Sequence, residues 1–384
     1  MLDEAGIRTA LEAGLAESGL PGVVGAVRTR GGESVTVAIG RRSAGEPEPI
    51  ARDALFWIAS MTKAITSVAA LQLAAEGRIG LDEPVGRWLP ELAAPQVLEG
   101  FDDQGAPRLR PARKPVTLRA LLSHTSGLAY DFTSADVGRW VAHAGARMGG
   151  PGYPEGLPLV FDPGEGWAYG YGLDVAGRLI ERLVDADLES VLAERIFRPL
   201  GMTSTTFAPT EAQRARSAAM HARLPEGGLA PVPFAMPPPP HFQMGGGGLY
   251  STADDYLRFL GALLEDEPRL LPPAFAELLF TPQVVATRPG VLKSAAPHLA
   301  LDYDAFPGQP TGWTLGFLSN LEPGPAGRVA GSLSWAGLSN CYYWLDRETG
   351  VAGVMMAQLL PFADPGALAL FDRFERAVYG AGSA

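Results

Sequence analysis

A chain of 384 residues, 47% hydrophobic and 19% charged, is too apolar to be disordered throughout and long enough for one large domain or two smaller ones. Its formal net charge of -11 leaves no basic stripe to release counterions from phosphates, which argues against nucleic acid or an anionic membrane and for a small neutral molecule as partner. Cys341 is the single cysteine, so neither an intramolecular disulfide nor a cysteine-based metal cluster is available, and a reducing cytoplasm suits the chain.

The first segment, MLDEAGIRTALEAGLAESGL, carries acids where an export signal needs basic residues, and reads as an amphipathic helix. No run of 18 apolar residues suggests a membrane span. GVVGAVRTR and ESVTVAIGR are β-branched runs on either side of Gly31 and Gly32, the pattern of a hairpin. A helix follows from Ser60; between Ala64 and Ala75 its only polar side chains are Thr66, Ser67 and Gln72, so it is expected to be buried on nearly every face. Beyond Gly80, Pro84, Pro90, Pro95, Pro107, Pro111 and Pro115 punctuate helical pieces such as VTLRALLSH and LDVAGRLIERLV, and no strand is expected before about Gly312. PVPFAMPPPPHFQMGGGGLYSTADDYLRFL then runs from an extended proline-rich loop through four glycines into a helix capped by Ser251 or Thr252. TGWTLGFLSN, GSLSWAG, NCYYWLD and TGVAGVMMAQ read as strands, and LALFDRFERAV as a closing helix. The expected fold is α/β of the α+β kind. An antiparallel sheet of five or more strands, flanked by helices, is assembled from residues 1–80 and 245–384, and a mostly helical domain is inserted at 81–244.

Lys63 opens the apolar helix with no acid near it in sequence until Glu76, and an unpaired buried ammonium tends to lose its proton. Ser60 lies three residues earlier on the same helical face. A serine hydroxyl needs a base to become a nucleophile, a lysine kept neutral by burial is such a base, and a helix N-terminus helps to hold an oxyanion. A Ser-x-x-Lys met at random is usually an N-cap serine beside a solvated lysine. Here the chain has only three lysines against 28 arginines, and one of them introduces its most apolar helix.

ASMTKAIT followed by LAAEGRIGLDEPV resembles the first motif of the serine β-lactamase-like family, which includes class C β-lactamases, penicillin-binding D-alanyl peptidases and family VIII carboxylesterases. The resemblance continues in order through LLSHTSGL, PGEGWAYGYGLDVAGRLIE, MGGGGLYSTADDYLRF and SLSWAG, and covers most of the chain. It implies that the second-motif tyrosine is Tyr169, after Trp167, with a phenol whose pKa is lowered by Lys63; either Lys63 or Tyr169 would be the base of acylation. It aligns Tyr171 with the family's asparagine, and Trp335, Ala336 and Gly337 with its Lys-Thr-Gly, close to the Trp-Gly-Gly of the esterases. The Ser60 and Leu338 N–H groups would form the oxyanion hole, with Gly337 letting substrate approach the backbone. Replacing a cation and an amide by aromatic surface favours uncharged esters over β-lactams.

Phe234, Met236, His241 and Phe242 are candidate walls of an acyl pocket. His124 is expected to serve a turn, since no Gly-x-Ser-x-Gly elbow accompanies it, and His143, His221 and His298 have no metal-ligand spacing. The expectation is therefore a carboxylesterase acting through an acyl-enzyme on Ser60, without a cofactor. A β-lactamase or D-amino-acid peptidase, an acyltransferase, and a non-catalytic binding protein are the alternatives.

Overall fold

The computed structural model describes residues 1–145, 156–224, 227–236, 242–285 and 289–380. Helix α1 (Glu4–Ser18) leads into strands β1 (Gly22–Thr29) and β2 (Ser34–Gly40), the short strand β3 (Phe56–Trp57) and helix α2 (Thr62–Ala75). A hairpin of β4 (Gln96–Phe101) and β5 (Pro107–Pro111) precedes helix α3 (Gly172–Val184). The chain returns through β6 (Tyr250–Ser251) and helix α4 (Ala253–Leu264), then forms β7 (Thr311–Trp313), β8 (Leu318–Asn320), β9 (Leu333–Gly337), β10 (Cys341–Asp346), β11 (Val351–Met356) and helix α5 (Pro365–Tyr379).

Seven strands make one antiparallel sheet in the order β2-β1-β11-β10-β9-β8-β7. The N-terminal hairpin is stitched to the C-terminal strands by β1 and β11, with Val24 opposite Met356 and Thr29 opposite Val351. β1 and β9 to β11 are buried almost throughout, because helices cover both faces: α1 and α5 pack together on one side, and α4 packs on β1 and β11. Thr252 caps α4, its Oγ1 accepting the Asp255 N–H.

Strands do occur before Gly312, contrary to the expectation. β4 and β5 pair across a bulge, His221–Arg223 pairs with Leu229–Pro231, and β3 pairs with β6. These pieces are two to six residues long, and those between β3 and β6 carry proline, arginine or glycine instead of alternating β-branched residues, so period-2 patterning is absent from them. TGWTLGFLSN also divides into two strands, turning at Gly316 with φ +110°, where a Cβ would lie 2.2 Å from Ser67 Oγ.

Candidate active site

β3 fixes the approach to Ser60. Phe56 and Trp57 pair with Ser251 and Tyr250, and the Trp57 indole N–H donates to the Gly247 carbonyl at 2.8 Å. The Trp57 carbonyl accepts from Ser339 Oγ at 2.8 Å and Gln358 Nε2 at 3.0 Å. So anchored, the backbone passes through Ala59 at φ +44°, a strained conformation for a residue with a side chain, into a 3-10 turn over Ala59–Met61 and then α2. Ser60 sits in that turn, partly exposed, while Lys63 in the first turn of α2 is wholly buried.

Lys63 Nζ lies 3.1 Å from Ser60 Oγ, 3.0 Å from Tyr130 Oη and 2.5 Å from the Gly246 carbonyl oxygen. It also stands 4.7 Å from the centre of the Tyr169 ring. Burial lowers its amine from the ordinary 10.5 to about 7, with the charge of Asp174 acting in the opposite sense. The acid that sequence proximity did not supply comes from α3: Asp174, fully buried, accepts the Tyr130 hydroxyl at 2.8 Å and the Gly246 N–H at 2.9 Å. Tyr130, Asp174 and Gly246 were not among the residues expected from sequence. The available signal was an acid within the buried run Leu173–Gly177, opposite a helix with an uncompensated lysine. The glycine has a steric reason: at position 246 a Cβ would lie 2.4 Å from Asp174 Oδ2 and 2.7 Å from Tyr130 Oη.

Tyr169 is buried, its hydroxyl beside Ser60 and accepting the Trp335 indole N–H at 2.9 Å. The expected lowering of its pKa does not occur. Burial raises the phenol well above its ordinary value, and neighbouring Ser60 and the Trp335 indole offset only part of that, so Tyr169 keeps its proton.

The other sequence candidates divide. Trp335 reaches Tyr169 from β9, whereas Ala336, next along the strand, has its Cβ on the opposite face. Gly337 meets the turn that carries Ser60: a Cβ there would lie 2.4 Å from the Ile58 carbonyl oxygen, so the close approach made at this glycine is that of backbone to backbone. Leu338 follows it, half-buried. Tyr171 is fully buried, its hydroxyl donating to Asp131 Oδ1 at 3.1 Å and its ring packed edge-on against Tyr130 at 4.3 Å, so it braces Tyr130 from behind. Phe234 is exposed and its ring lies 4.4 Å from that of Trp57. Phe242 instead lies under the Arg178 guanidinium at 5.5 Å, and His241 falls outside the described residues. His124 adopts φ +57°, accepts the Gly170 N–H at Nδ1 and is held neutral by burial.

Three comparisons bear on this arrangement. The profile of the beta-lactamase family matches residues 7–376. Among curated proteins, an acyltransferase of Penicillium decumbens, calJ, is 36% identical over 342 residues, spanning 85% of this chain and 81% of its own length. The lovastatin esterase of Penicillium rubens is 34% identical, spanning 89% of this chain and 90% of its own length. Among solved structures, a mutant of the simvastatin synthase of Aspergillus terreus superposes with a TM-score of 0.85 at 33% identity, covering 98% of this chain and 94% of that one.

Proposed function

Because the chain belongs to the beta-lactamase family, and its nearly full-length relatives include an esterase and acyltransferases, we propose that it cleaves carboxylic esters through an acyl-enzyme on Ser60. The observation that carries this reading is the buried Lys63 amine, 3.1 Å from Ser60 Oγ and drawn down to about 7. At neutral pH a useful fraction of it is free to accept a proton. Ser60 Oγ attacks the ester carbonyl carbon while its proton passes to Lys63. The oxyanion rests on the Ser60 and Leu338 N–H groups. As the carbon–oxygen bond breaks, the departing alkoxide takes a proton from Tyr169, which is then restored by the one held on Lys63. Water attacks the acyl-enzyme by the reverse route and releases the acid.

The substrate expected is small and uncharged. Where the family resemblance places the cation that attracts a carboxylate, this chain has Trp335, and where it places an amide-binding asparagine it has the buried Tyr171. A nitrocefin assay beside a short-chain p-nitrophenyl ester tests this: kcat/KM for the ester should exceed that for nitrocefin by about 100-fold or more. The opposite order supports a β-lactamase or peptidase, and the absence of any acyl-Ser60 by intact mass supports a non-catalytic binding protein.

A second reading is transfer of the acyl group to an alcohol. It is favoured by the 34% identity to the monacolin J acid methylbutanoyltransferase of Aspergillus terreus over 97% of this chain. Product analysis with added alcohol separates the two, since a new ester forming faster than free acid identifies the transferase.

A further inference from the structure

The chemistry above makes no use of the Asp174 carboxylate, yet both of its oxygens are engaged in the wall behind Lys63. Oδ1 accepts the Gly246 N–H at 2.9 Å and Oδ2 accepts the Tyr130 hydroxyl at 2.8 Å. A tyrosine has one hydroxyl proton. With that proton directed to Asp174, Tyr130 Oη turns only lone pairs toward Lys63 Nζ, 3.0 Å away. The Gly246 carbonyl, at 2.5 Å, likewise offers only lone pairs. A neutral primary amine has two N–H bonds and one lone pair. Two of its three directions meet obligatory acceptors, so the N–H bonds go there, and the lone pair is left for the third direction, occupied by Ser60 Oγ at 3.1 Å.

We infer that Asp174 is a positioning residue which, by orienting the Tyr130 hydroxyl, makes the Lys63 amine present its lone pair to Ser60. This rests on the reading of Ser60 and Lys63 as nucleophile and base. Without the carboxylate, Tyr130 is free to turn its O–H onto the amine lone pair and occupy the base. An asparagine is no substitute, because one side of its amide offers N–H where the carboxylate accepted. The polar and charged groups facing Lys63 are Ser60 on its own helix turn, Tyr130 and neutral His124 on the segment before α3, Tyr169, Asp174 and the Gly246 carbonyl. Of these, Asp174 is the one that favours the ammonium. Asp174→Asn therefore has two signatures: a slower maximal rate, and an acid limb moved to lower pH. A loss of packing alone lowers the rate and leaves the limb in place.

The chain has only three lysines, so a 13Cε-lysine NMR titration follows Lys63 directly. This titration and single-turnover acylation by a short-chain p-nitrophenyl ester should be measured for wild type, Asp174→Asn, Tyr130→Phe and the double variant. The expected result is a Lys63 midpoint shifted to lower pH in Asp174→Asn and an acylation plateau lowered about 10- to 100-fold. The double variant should acylate within about threefold of Tyr130→Phe alone, because the carboxylate acts through the hydroxyl. An unmoved Lys63 midpoint, a wild-type plateau in Asp174→Asn, or effects that multiply in the double variant would overturn the inference. Should Asp174→Asn fail to fold, Tyr130→Phe decides alone, and a wild-type plateau there is equally fatal. If no ester acylates the wild type, the proposed function fails and takes this inference with it, whereas wild-type acylation with an unchanged plateau in Asp174→Asn or Tyr130→Phe overturns the inference alone.

Discussion

Trp335 belongs to the core and also reaches the candidate site. Its ring is buried against Trp313 and Tyr303, while its indole N–H donates to Tyr169 Oη, the hydroxyl beside Ser60. Trp335→Phe keeps most of the packing and removes the donor. Acylation of Ser60 should slow roughly tenfold with little change in KM, as single-turnover and steady-state kinetics would show; an unchanged acylation rate denies the hydrogen bond a role. Lys63 carries a prediction for stability. Its folded pKa lies near 7 and its ordinary value is 10.5, so across that window the unfolded chain holds a proton the folded chain lacks. Stability contributed by this group therefore rises with pH between those values and is flat below them. In Lys63→Met, denaturant titrations from pH 7 to 10 should show a shallower rise; an identical slope would place the lysine's proton elsewhere. At this scale Ser60 and Lys63 were legible, because a spacing of three on an apolar helix is a local signal. Tyr130 and Asp174 were not, because they reach Lys63 from 67 and 111 residues away in the chain, and in sequence Asp174 looks like any acid in a first helical turn.

Elements bring these residues together through glycines that admit backbone or side chain where a Cβ would collide. Gly337 lets β9 lie against Ile58, and Gly246 lets the return segment lie against Asp174 and Tyr130. Gly337→Ala should push β9 from the turn that holds Ser60, costing about 1–3 kcal/mol of stability and slowing acylation together, measured by chemical denaturation and single-turnover kinetics. Full stability with full activity would show that the contact is slack. The strands of the main sheet were readable because they alternate or run continuously apolar, as in β1, β10 and β11. β4 and β5 escaped detection because PRLRP has the composition of a loop, and its strand character comes from pairing with Gln96–Leu98. The four glycines before β6 were legible as the passage from the proline-rich loop into the next helix, but their purpose was not, since it depends on Asp174, which lies 72 residues from Gly246.

The whole molecule closes on itself: the first hairpin joins the last strands, and α1 packs against α5. The buried strand β9 and a buried helix start meet at Ser60, so the candidate site is held by segments from both ends of the chain and by α3 from its middle. The joining of the two chain ends in one sheet was legible from the strand-like runs at both ends, whereas the water-poor environment that sets the charge of Lys63 became visible only with every wall in place. The most direct test is the pH dependence of acyl-enzyme formation, followed by intact mass under single-turnover conditions with a short-chain p-nitrophenyl ester, for wild type and Ser60→Ala. One acyl adduct is expected on Ser60, absent from Ser60→Ala, forming at a rate that climbs as pH rises through about 7, where Lys63 loses its proton. An adduct that persists in Ser60→Ala, or a rate indifferent to pH across that range, would contradict it.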